Sequence, residues 1–125
     1  MESRVDLDRV AGLISRYAFA WKQSGLVVGA LTWRDEAAPW PCPLREDRGQ
    51  VAEPDSVGIM VRGHQREGRL VVFRGGWADL EYWGGGPSVM PVLEAPGWDN
   101  WMDLPGIERL LRRFASLFEQ NQNVP

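Results

Sequence analysis

Apolar residues recur every three or four positions at Val10, Leu13, Ile14, Tyr17, Ala18 and Trp21, which lays one stripe along a first helix over 4–23. Ser3 with Asp6 resembles a capping box, and Gly25 supplies a stop. The run 26–33 is dense in β-branched and aromatic side chains and predicts a strand. Two more strands are expected over 57–63 and 69–74, joined by a turn around His64 to Gly68. Gly75-Gly76 then leads into a strand over 77–83, and two glycines between strands signal a tight two-residue hairpin. In that register Arg74 faces Trp77, Val72 faces Asp79 and Leu70 faces Glu81. Alternation directs Val71, Phe73, Ala78, Leu80 and Tyr82 to the core and leaves Trp77, Asp79, Glu81 and Trp83 together on the other face.

Gly84-Gly85-Gly86-Pro87 breaks the pattern, and a short edge strand limited by Pro91 is expected over 88–93. Pro96-Gly97 opens a loop presenting Trp98, Asp99, Asn100 and Trp101. Asp103 is placed as the N-cap of a closing helix over 104–120, with Pro105 in its first turn and Ile107, Leu110, Leu111, Phe114, Leu117 and Phe118 as its stripe. Between the first two strands, 34–56 scatters Pro39, Pro41, Pro43 and Pro54 among charges, which predicts a long surface loop. Trp40 and Cys42, each between prolines, are candidates to pin that loop to the core. The expected fold class is α+β. It has an antiparallel sheet of about four to five strands, with an N-terminal and a C-terminal amphipathic helix packed on one face.

Composition narrows the partners. At 125 residues and 44% apolar the chain is one domain with one core, and its net charge of −3 disfavours nonspecific binding to nucleic acid or a membrane surface. Lys22 is the only lysine among 14 basic residues, a bias that GC-rich bacterial genomes tend to encode. Cys42 is the only cysteine, so neither an internal disulfide nor a cysteine metal cluster is available. The acidic start lacks the pattern of a secretory signal, and no apolar run approaches spanning length; a cytoplasmic location is expected.

Catalytic signatures are missing. His64 is the sole histidine and has no nucleophile or carboxylate delivered to it by spacing, and Cys42 with His64 matches no known arrangement. Asp79 and Glu81, two apart on one strand, lie about 7 Å from each other and resemble the paired carboxylates of a glycosidase, although such pairs usually come from separate elements. Gly84-Gly85-Gly86 lacks the lysine and helix of a phosphate loop. No catalytic residue, metal or cofactor is expected, and the chain reads as a non-enzyme.

One window stands out. Between Arg74 and Arg109 there is no Lys or Arg, yet Asp79, Glu81, Glu94, Asp99, Asp103 and Glu108 occur there with Trp77, Trp83, Trp98 and Trp101. Three readings compete. The indoles fold under the Pro-rich loop and the acids are merely solvated; or the face binds a basic protein, with Trp as anchors; or the indoles stack on sugar rings.

The order of features resembles a family. A leading amphipathic helix is followed by Ser56-Val57-Gly58-Ile59-Met60-Val61-Arg62, then by the stretch 69–83 containing Ala78-Asp79-Leu80-Glu81, and then by a Leu-rich helix. This is similar to small bacterial immunity proteins of polymorphic toxin systems of the Rhs and type VI secretion kind, and among them to the TriTu-type proteins. The resemblance implies a non-enzymatic inhibitor that binds one cognate toxin domain, such as an ADP-ribosyltransferase, and blocks its catalytic or substrate cleft; the acidic surface adds the expectation that this cleft is basic, and a monomer is expected when the chain is free. The acid and tryptophan window, and not the resemblance, places Trp77, Asp79, Glu81, Trp83, Trp98, Asp99, Trp101 and Asp103 at the interface, with no nucleic acid or membrane expected. A secretion chaperone for an effector and a carbohydrate-binding domain are the alternatives.

Overall fold

The computed structural model describes residues 2–86 and 89–119; the expected strand start at 88, the helix end at 120 and the Asn121-Gln122-Asn123 tail lie outside the described residues. Helix α1 (Leu7–Gln23) starts later than the capping box implied. The Asp6 carboxylate, rather than Ser3, accepts from the amides of Asp8 at 2.9 Å and Arg9 at 3.4 Å. Gly25 follows the C-cap at φ +93°, where a side chain would be strained.

The strand expected over 26–33 is two strands, β1 (Val27–Val28) and β2 (Thr32–Asp35). Both pair antiparallel with the same edge of β3 (Pro54–Gly63), at Val28↔Val61 and Thr32↔Gly58. Four steps on one side therefore match three on the other, and Gly29, Ala30 and Leu31 absorb the extra residue. β4 (Arg66–Phe73), β5 (Ala78–Trp83) and β6 (Val92–Glu94) continue the sheet, and α2 (Leu104–Glu119) closes the chain. The antiparallel sheet runs in the order β1-β3-β4-β5-β6, with β2 beside β1 on the β3 edge, and with the two helices it makes the expected α+β domain.

Only His64 and Gln65 form the turn between β3 and β4, so Gly68 lies within a strand and not in a turn. The β4–β5 hairpin also differs from expectation. Phe73 N–H donates to Trp77 O at 2.9 Å, so three residues, Arg74, Gly75 and Gly76, make the loop. Gly76 sits at φ +91°, and a Cβ there would lie 2.8 Å from Cβ of Trp101. One extra loop residue shifts the register by one: Val72↔Ala78, Val71↔Asp79, Leu70↔Leu80 and Arg69↔Glu81. The inward set of β4 is therefore Leu70 and Val72, and Val71 and Phe73 are turned to the opposite face. The assignment of β5 survives, with Ala78, Leu80 and Tyr82 buried.

Both helices cover one face of the sheet. Val57, Ile59 and Val61 of β3 alternate inward and join Leu70, Val72, Leu80 and Tyr82 against Val10 and Ile14 of α1 and Ile107, Leu111, Phe114 and Phe118 of α2. Phe114 meets the edge of Trp21 at 5.6 Å and of Phe118 at 5.4 Å, and Phe118 meets Tyr82 at 5.1 Å. Gly68 makes room for these rings, since a Cβ on it would lie 2.7 Å from Cζ of Phe118 and 2.9 Å from Cε1 of Phe114. Each helix begins beside the β4–β5 turn: Arg4 and Val5 N–H donate to Arg74 O ahead of α1, and Met102 N–H donates to Gly76 O ahead of α2. Each ends near the β3–β4 turn, where Arg66 donates to Phe118 O and β1 pairs with Arg62.

The stretch 34–56 is not an unstructured excursion. β2 runs into it, β3 begins inside it, and a short 3-10 turn (Arg48–Gln50) lies between. Trp40 does not pin it, being 88% exposed. Asp35 does: its carboxylate accepts from the amides of Ala37, Ala52 and Glu53 at 3.0 Å each. Trp33 and Arg45 also exchange backbone hydrogen bonds at 2.8 Å, and Arg48 reaches back to Asp8. The amides of Ala52 and Glu53, first among the causes, hold the Asp35 pKa below the ordinary carboxylate value. A depressed folded-state pKa contributes stability that is complete above the ordinary value and lost as pH falls through the folded one. Acidification through that window is expected to lower amide protection factors at Ala52 and Glu53. Asp35→Ala should show the loss at neutral pH, and unchanged protection in that variant would refute the pinning role.

Candidate functional site

The face of the sheet away from the helices carries the other half of every alternation. Three rows cross it. The first runs Arg34, Ser56, Phe73 and Trp77; the second Thr32, Gly58, Val71 and Asp79; the third Met60, Arg69, Glu81 and Leu93. Ser56 and Gly58 are small, lie next to each other on this face of β3, and are flanked by larger residues on β2 and β4. A hollow of about 170 Å³ results over the middle of the sheet, reached by Arg34, Arg69, Asp79 and Glu81 at its margins. Leu44, from the Pro-rich stretch between β2 and β3, also lines it.

Arg34 is held firmly. Its Nε and Nη2 donate to the Asp55 carboxylate at 2.7–2.9 Å, and its guanidinium lies 5.8 Å from the Phe73 ring centre. The hydrogen bond to Asp55 raises the Arg34 pKa, so the guanidinium stays charged. Asp55 is nearly closed off from water beneath it. Phe73 presents its ring to Trp77 as a stack at 5.4 Å and 19°. Trp77 is half-buried, with Phe73 stacked against it on its own face.

Trp77, Asp79, Glu81 and Trp83 do share one face, yet they do not converge. Trp77 and Trp83 stand six residues apart, about 20 Å along the strand. Trp83 sits in a separate depression beside Arg62 and Glu67 at the β3–β4 turn. Asp79 and Glu81 are brought into the hollow, and neither makes a hydrogen bond or ion pair among the described residues. They rise from one strand toward the same side, so they cannot flank a scissile bond from opposite directions as glycosidase carboxylates do.

The loop residues form a third location. Trp101 lies with Asp103 in a depression at the start of α2, which shares no residue with the hollow. Arg4 covers the Trp101 ring at 5.2 Å, and Trp98 is 75% exposed. Asp99 is exposed and makes no hydrogen bond or ion pair among the described residues. Asp103 is occupied as a helix cap, its Oδ1 accepting from Gly106 N–H at 2.9 Å. The face also includes Thr32, Arg34, Ser56, Gly58, Arg69 and Phe73, which sequence reasoning passed over as site residues. Part of the signal was present in 56–62, where Ser56, Gly58, Met60 and Arg62 alternate with the β-branched Val57, Ile59 and Val61.

His64 is exposed in its turn, and Cys42 donates to Asp35 O at 3.3 Å beside the other end of β3; the ten residues of that strand separate them by about 30 Å. Among the described residues no group of three or more His, Cys, Asp or Glu is arranged to hold a metal ion, and no helix is long and apolar enough to cross a membrane. Comparison of the chain with protein-family models, with curated proteins and with solved structures found no match in any of the three.

Proposed function

We propose that this chain is a non-enzymatic binding protein of the immunity type, which docks on a cognate secreted bacterial toxin and blocks its active or substrate cleft. The supporting observation is the pair Asp79 and Glu81, free of ion pairs among the described residues, on a sheet face whose opposite side is sealed by both helices. Toxin clefts that bind anionic substrates, those of ADP-ribosyltransferases and nucleases included, are basic, and carboxylates on a rigid sheet compete for the cations that would hold phosphate. Trp77 and Trp83 flank the pair and supply apolar contact area. The protein acts in the cytoplasm as a monomer before it meets the toxin. Trp98, Asp99 and Trp101 lie at the end of the sheet and serve as a separate contact region.

The neighbouring coding sequence and co-expression test the reading: a secreted-toxin domain is expected to be encoded beside this chain, and its absence would count against the immunity type. The wild-type chain restores growth. Asp79→Lys with Glu81→Lys slows association about tenfold at low salt and removes protection, while the circular dichroism spectrum and melting midpoint stay unchanged. Protection at wild-type level in the double variant would take this face out of the interface.

A further inference from the structure

Ser56 is 4% exposed, and its side chain lines the hollow on the open face, yet its hydroxyl makes no hydrogen bond among the described residues. That hydroxyl is not sealed off: it opens on the hollow, where its hydrogen-bonding capacity is open to whatever enters. Its surroundings indicate what would meet it. Arg34 is already matched by Asp55, and Arg69 stands across the β4–β5 ladder from Glu81. Asp79 stands across from Val71 and faces no cation in its row. Three carboxylates against two guanidinium groups leave one negative charge over.

We propose that the hollow is a guanidinium-binding site and that an arginine side chain of the partner occupies it. The second half rests on the partner-binding reading above; the first does not. Asp79, Glu81 and the Ser56 hydroxyl are acceptors spread over two strands and three rows of the sheet. A planar group with five N–H donors can reach several of them at once, whereas an ammonium offers one point charge. Val71 and Leu44 give the hollow apolar sides that suit the methylene stem behind the guanidinium. Gly58 keeps the floor low, because a Cβ there would already lie 3.2 Å from Thr32 Oγ1 and from a Val71 methyl.

The test is a titration of the whole ¹⁵N-labelled chain with Nα-acetyl-arginine N-methylamide, followed by amide shifts. Saturable shifts centred on Thr32, Gly58 and Val71 are expected, with a dissociation constant in the millimolar range. The uncharged citrulline counterpart should bind about tenfold more weakly, as should the arginine compound to Asp79→Asn. Ser56→Ala should weaken binding about threefold without lowering the melting midpoint, since it removes a hydroxyl that the folded chain does not satisfy. The proposal is overturned if no saturable shifts appear at these amides up to about 50 mM. It also fails if citrulline binds equally well or methyl phosphate binds more tightly. Absence of arginine binding alongside loss of protection in the Asp79 and Glu81 double variant would refute the hollow and leave the partner surface standing. Arginine binding without any protection would refute the immunity reading alone.

Discussion

Phe114→Ala will lower the unfolding free energy by about 3–5 kcal/mol, a large share of the 5–15 kcal/mol typical of a domain. The side chain is fully buried and touches Trp21 and Phe118 edge-on, so its loss opens a cavity between both helices and the sheet. For a chain of this size the melting midpoint should fall by roughly 10–20 °C. Gly68 supplies a sharper check. Gly68→Ala alone pushes a methyl against Phe114 and Phe118 and should cost about 1–3 kcal/mol. With Phe114 already shortened the methyl has room, so the double variant should be more stable than the sum of the two losses implies. Strict additivity in urea unfolding would show that the ring does not explain the glycine.

The second large effect is at Arg34. Arg34→Met leaves the Asp55 carboxylate, only 6% exposed, without the guanidinium that binds both of its oxygens. Removing one partner of a closed-off pair costs about 3–5 kcal/mol; here the Arg34 side is 42% exposed and water screens it, so about 2 kcal/mol is expected. The charge on Asp55 carries the penalty, so adding Asp55→Asn should restore part of the loss. Destabilisation equal in the single and double variants would assign the effect to the missing stack on Phe73 instead.

The two sides of this molecule differed in how far they could be read in advance. Helical stripes are long and periodic, and the burial of Ile14, Ile107 and Phe114 follows from spacing alone. β5 alternates strictly, so its two faces were legible in Ala-Asp-Leu-Glu-Tyr-Trp. β4 was not, because Leu70, Val71, Val72 and Phe73 are all apolar and such a run carries no phase. Its faces depended entirely on loop length, and the glycine pair concealed that Arg74 belongs to the loop. That single residue decides whether Phe73 stacks on Trp77 or enters the core. The hollow was obscured for a different reason: it is made by what Ser56 and Gly58 lack, and it exists only once four strands are in register. The Pro-rich stretch concealed Asp35 in the same way, because its three amide donors are up to 18 residues distant.

Because α1 and α2 both run from the β4–β5 turn toward the β3–β4 turn, their peptide dipoles add instead of cancelling. Side by side in that sense they repel, and the chain compensates at both poles. Asp6, Asp8 and Asp103 stand at the positive ends, while Lys22 and Arg66 stand at the negative ones. Part of the acid excess between Arg74 and Arg109 therefore serves the helices and not a partner. Reversing those end charges would therefore act on both helices at once, because the same two edges of the sheet hold both like poles.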